Sequence, residues 1–128
     1  MPYTGTPTLT RWQPWTYRDA TWLNRDISGY TVVATDGQIG KVDKSMHQVA
    51  NAYLIVDTGG WIFGDKVMLP AGVVSGVDHN TQRVFVERSK EQVKNAPDFN
   101  DALVDDPDFR ASLGTYYGEG KGGSQPSI

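Results

Sequence analysis

The 128-residue chain contains no cysteine. Disulfides, thiolate nucleophiles, iron–sulfur clusters and cysteine-based zinc sites are therefore excluded, and stability has to come from burial. Histidine is nearly as scarce. His47 and His79 are the only two, and neither belongs to an HExxH or similar ligand spacing, so no metal site is expected. Long apolar runs are also missing: no stretch approaches the ~20 residues of a membrane-crossing helix. The N-terminus has neither a basic start nor an apolar core segment, so insertion and secretion are not expected and the expected compartment is the cytoplasm. An excess of positive charge is absent as well. The formal net charge of -3 argues against charge-driven binding to nucleic acid, which needs a basic face to neutralise phosphates.

Aromatic residues, by contrast, are plentiful. The chain carries four tryptophans and six tyrosines, and Trp12, Trp15 and Trp22 all lie in the lead segment. At this length one core with tails is expected rather than two domains. Composition divides the chain into an aromatic N-terminal extension (1–26), a Val/Ile/Gly-rich middle (27–88), a helical C-terminal extension (89–118) and a Gly-rich tail expected to be disordered (119–128).

The middle has the composition of short strands. Residues 30–35 are β-branched and aromatic, and Asp36-Gly37 suits a tight hairpin. A second strand runs from Gln38 to Met46, where Gly40 breaks the alternation and marks a bulge or a close backbone approach. Residues 53–57 are apolar on both faces, as in a covered central strand. Residues 66–69, 73–77 and 83–87 complete six strands with turn signals every ~8–12 residues, the spacing of a barrel or sandwich. Its predicted core is Val32, Val42, Leu54, Val56, Val67, Leu69, Val84 and Val86, a filled interior without a substrate cavity. Ser89-Lys90-Glu91-Gln92 is a capping box, which predicts a short helix to about Asn95. Asp106-Pro107 opens a second, amphipathic helix with Phe109, Leu113, Tyr116 and Tyr117 along one stripe, ending at Gly118.

Parts for catalysis are few. No serine lies in a GxSxG elbow, and Asp36, Asp43, Asp57 and Asp65 each fit a turn, strand-surface or loop role better than a paired-carboxylate site. His79 reads as a polar residue stabilising the turn 78–82. The glycine-bearing loop 59–66 lacks the Lys-Ser/Thr of a phosphate loop and is filled by Trp61, Ile62 and Phe63. This apolar tip either folds over an open barrel end, the favoured reading, or anchors a partner. Basic residues are scattered. Lys41 and Arg83 could share one face beside aromatics, but a solvated mixed-charge surface is the stronger reading.

The segments Gly29-Tyr30, Asp36-Gly37-Gln38-Ile39-Gly40-Lys41-Val42-Asp43, Tyr53-Leu54-Ile55-Val56-Asp57-Thr58-Gly59 and Lys66-Val67-Met68-Leu69-Pro70, in this order, resemble the PRC-barrel domain. Residues 88–99 and Tyr116-Tyr117-Gly118 are similar to the segment that follows the barrel in stand-alone bacterial members. The resemblance implies a mainly β fold built on a small six-stranded PRC-type barrel, and binding and assembly rather than catalysis. It supplies no catalytic, cofactor-binding or metal residues, and no cofactor is expected. A ~60-residue barrel is marginal alone and needs covering surface. The expected function is a non-enzymatic interaction module that self-associates as a dimer or higher homo-oligomer, as a scaffold or structural component, with a further protein partner. Its interaction candidates are Trp61, Ile62, Phe63, Trp12, Trp15, Trp22, Phe109, Leu113, Tyr116 and Tyr117. The alternative is an RNA- or ribosome-associated maturation or stress factor, by analogy of fold alone.

Overall fold

A computed structural model describes residues 12–19, 21–62 and 65–118. The strands are β1 (Thr31–Ala34), β2 (Gly37–Met46), β3 (Tyr53–Asp57), β4 (Lys66–Pro70), β5 (Val74–Asp78) and β6 (Arg83–Val86). They form one mixed sheet in the order β4-β3-β2-β1-β6-β5, antiparallel throughout except for the parallel β1–β6 pair. Two helices follow, α1 (Lys90–Lys94) and α2 (Pro107–Gly118), with single 3₁₀ turns at Thr21–Asn24, Ala71–Val73 and Asp101–Leu103.

The strand order bends the sheet. Its two edges, β4 and β5, are consecutive in sequence, and only Ala71–Val73 separates Pro70 from Val74. Four steps of chain span at most ~14 Å, whereas a flat six-stranded sheet would set its edges about 24 Å apart. The sheet is therefore strongly curled. No ladder joins β4 to β5 among the described residues, so the six expected strands form an open mixed sheet.

Two irregularities supply part of the curl. β1 and β2 pair Val32 with Gly40 but Val33 with Gln38, leaving Ile39 as an extra residue. β2 and β3 pair Val42 with Val56 but Lys44 with Ile55, leaving Asp43 extra. Such bulges bend and twist the strand that carries them. Gly40 is also the close approach that the broken alternation predicts: a Cβ there would lie 2.9 Å from both the Asp57 carbonyl carbon and the Thr58 Cα. The hairpin differs by one residue from expectation. Ala34 pairs with Gly37, so the turn residues are Thr35 and Asp36, and Gly37, at φ 143°, opens β2. Asp36 is drawn outward because its Oδ1 accepts the Lys90 backbone N–H at 2.8 Å.

All eight predicted core residues are buried, and they meet across the ladders: Val42, Val56 and Val67 in one row, Val32 and Val84 in another. Both helix starts form as the caps require. Ser89 Oγ accepts the Gln92 N–H and Gln92 Oε1 accepts the Ser89 N–H, while Asp106 Oδ1 accepts the N–H groups of Asp108 and Phe109. Helix α2 lays Phe109, Leu113 and Tyr117 into the same apolar cluster as the strands, and Tyr17, Trp22 and Phe99 join it. The lead and the C-terminal segment thus cover the sheet within the chain. No helix among the described residues is long and apolar enough to cross a membrane. The tail expected to be disordered lies outside the described residues.

Candidate interaction surface

The apolar loop tip is divided by the fold. Thr58 closes the loop, with its N–H and hydroxyl both donating to the Asp65 carbonyl at 2.7 and 2.9 Å. Asp65 takes a left-handed φ of 67° to return the chain to β4. Ile62 is driven inward and is buried. Trp61 stays 39% exposed, lying over the β1–β2 hairpin. Its Nε1–H donates to the Ile39 carbonyl at 2.7 Å, and the Lys90 ammonium sits 5.5 Å from its ring centre. Phe63 lies outside the described residues.

The aromatic lead forms a strap across the molecule. Pro14 and Trp15 offer carbonyls to the N–H groups of Gly72 and Ala52, at 2.8 and 2.9 Å. Trp12 Nε1–H donates to the Gly114 carbonyl on α2 at 2.8 Å. Trp12 and Trp15 are half-buried, and Tyr17 and Trp22 are buried edge-to-face at 4.9 Å. The strap also holds two arginines. Arg88 lies 5.5 Å from the Trp12 ring and 5.8 Å from Tyr117, and donates to the Tyr117 carbonyl. Arg110 is sandwiched between Trp15 and Tyr53 at 4.8 Å each, and donates to the Val104 carbonyl and to Asn51 Oδ1. A planar guanidinium can stack on rings while bonding in its own plane, which an ammonium cannot. Burial holds the Arg88 guanidinium below its ordinary pKa and pushes the Tyr17 and Tyr117 phenols well above theirs.

Of the remaining candidates, Phe109, Leu113 and Tyr117 are buried in the chain itself, and Tyr116 is half-buried with its hydroxyl donating to the Gln92 carbonyl at 2.8 Å. Among the described candidates Trp61 thus keeps the most open surface. His79 does not stabilise its own turn. Asp78 Oδ1 does so, accepting from Asn80 and Thr81, while the His79 ring bridges the lead to the sheet. Its Nε2–H donates to the Trp22 carbonyl at 2.9 Å, which leaves Nδ1 to accept from the Tyr30 hydroxyl at 2.8 Å. Nothing in the local turn sequence signals a partner so far away. The close approach of strap to helix did leave a trace, glycine at positions 114 and 118, one helical turn apart on one face.

The outer face carries a row of charges that crosses every strand. The register aligns Lys66, Asp57, Lys41, Thr31, Arg83 and Asp78 side by side from β4 to β5. Lys41 and Arg83 therefore do share a face, flanking Thr31, but each has an aspartate as its other neighbour. Opposite charges at neighbouring register positions support the sheet. Two of the candidate carboxylates have local partners as well: Asp43 pairs with Lys66 at 3.2 Å, and Asp57 Oδ1 accepts the Gly59 N–H. No group of three or more metal-ligating side chains is assembled among the described residues. A shallow polar groove of about 590 Å3 runs past Arg25, Asp26, Lys44 and His47, where Ser45 Oγ and His47 Nε2 lie 2.8 Å apart. That pair sits two residues apart at one strand end and is half-buried.

No family model matches this chain, and no curated protein matches it.

Proposed function

We propose that this chain is a cytoplasmic, non-enzymatic interaction module of PRC-barrel type that self-associates and serves as a scaffold or structural component. The observation that carries the reading is how the curled sheet is used. Its interior is filled by valine, leucine and isoleucine, and its exterior carries a row in which basic and acidic residues are interleaved. Among the described residues the large apolar side chains left outward are Val49, Trp61 and Phe85, and Trp61 is held in place by a hydrogen bond and a cation. A rigid, partly exposed tryptophan beside a lysine has the chemistry of a binding anchor. Size-exclusion chromatography with light scattering over a tenfold concentration range tests self-association, and a 14.1 kDa species throughout refutes it. Affinity capture from native extract with the wild-type chain and with Trp61→Ser tests the anchor. Loss of one specific protein supports it, and recovery of the same set refutes it.

A further inference from the structure

The strap occupies a groove that the rest of the chain is shaped to hold. Three glycines line it. A Cβ at Gly72 would lie 2.6 Å from the Gln13 carbonyl oxygen, one at Gly114 would lie 3.1 Å from Pro14, and one at Gly118 would run into the Trp12 ring. Any larger residue at these positions would lift the strap. The groove is specific in its polar groups too: the Gly72 and Ala52 N–H groups and the Gly114 carbonyl meet a strap carbonyl or indole N–H, and Ala50 N–H meets Thr16 Oγ1 at 3.1 Å. Every one of these partners is distant from the strap in sequence.

We propose that this groove accepts the same segment, Trp12 to Tyr17, from a second copy of the chain, so that two copies exchange straps about Arg18 and Asp19. The inference rests on the self-association reading above and names its interface. The connection is suited to opening. Arg18 and Asp19 are exposed, and their one ion pair, Arg18 to Glu87 at 3.0 Å, is solvated on both sides. Asp19 caps the following turn through the Thr21 N–H and hydroxyl, and the Tyr17–Trp22 contact is among those an exchanged strap would remake. The surface points the same way. Among the described residues the exposed large apolar side chains are Val49, Trp61 and Phe85, on three separate elements, and they do not add up to the apolar patch of a face-to-face interface. Exchange needs no such patch, because each strap remakes in the other copy every contact it makes in its own, and the balance is set by protein concentration and by the connecting residues.

The absence of native cysteine makes a clean test. The full chain carrying Thr16→Cys and Ala50→Cys, treated with a short bis-maleimide that alkylates one thiol at each end, is run on a denaturing gel, while light scattering follows the untreated wild-type chain. Exchange gives a covalent band at twice the chain mass that needs both cysteines and grows with protein concentration. A cross-linked monomer alone, with light scattering reporting an oligomer, overturns exchange and leaves self-association standing. A monomer by both measures overturns both. Failure of any cross-link to form overturns the placement of the strap beside Ala50, and the proposal with it.

Discussion

Replacing Gly40 by alanine tests the sheet at its tightest point. The added methyl would meet the Asp57 carbonyl and, at 2.9 Å, the Thr58 Cα. These are backbone atoms of β3 and its continuation, and β3 is paired on both sides, with β2 and β4. They cannot swing away as a side-chain tip would, so the β2–β3 ladder has to open. Overpacking of this kind costs ~1–3 kcal/mol, and a weakened ladder bond adds about 1 kcal/mol. The lower entropy of the unfolded alanine chain returns ~0.4–1 kcal/mol. The net expectation is a loss of roughly 2 kcal/mol, a large share of the ~5–15 kcal/mol typical of a domain. The control is Gly76→Ala on β5, where a Cβ meets nothing within 4 Å and φ is not positive. It should be neutral or slightly stabilising, within ~1 kcal/mol. Urea unfolding followed by tryptophan fluorescence measures both, with the slope against denaturant expected to be unchanged. If Gly40→Ala is as stable as the wild type, or if the two variants lose stability equally, the close approach is not what selects glycine at position 40.

Three further outcomes are expected. Arg110→Lys should lose roughly 1–2 kcal/mol in urea unfolding, because an ammonium can neither stack between Trp15 and Tyr53 nor bond Val104 and Asn51 together; wild-type stability in this variant would show the sandwich to be idle. Asp19, Asp26 and Asp78 are held below the ordinary carboxylate range, the first two chiefly by the backbone N–H groups of Thr21 and Ser28 and the third chiefly by the Thr81 hydroxyl. Their native forms bind protons less readily than the unfolded chain, so their contribution is complete above about pH 4 and disappears as pH falls through the lowered values. Asp78→Asn should flatten part of that acid loss in pH-dependent thermal unfolding, and an unchanged profile would remove Asp78 from the account. Tyr17 and Tyr117 are raised by burial, so their contribution is complete below about pH 10 and falls away above it as the unfolded phenols ionise. Phenolate absorbance should show part of the tyrosine signal appearing only on unfolding, and ionisation of Tyr17 and Tyr117 with the fold intact would contradict their burial.

The sequence by itself determined the elements, because each is encoded locally. The six strands follow from runs such as Tyr53 to Asp57 and their turn residues, and the two helices from the caps at Ser89 and Asp106. The core valines follow from alternation along each strand, and a close approach at Gly40 follows from the break in that alternation. Tertiary structure decided what those elements meet. The curl of the sheet depends on β4 and β5 being its two edges, which is a matter of long-range pairing. Only the fold could show that Ile62 turns inward while Trp61 stays out, that Arg88 and Arg110 lie against the strap aromatics, and that His79 ties Trp22 to Tyr30. Those partners are brought together by chain separated by tens of residues, and a cation or a histidine carries no mark of which ring or carbonyl it will meet. The aromatic surplus was visible from composition alone; that so much of it closes the chain's own surface, while Trp61 keeps part of its ring exposed, is a consequence of where the lead crosses α2.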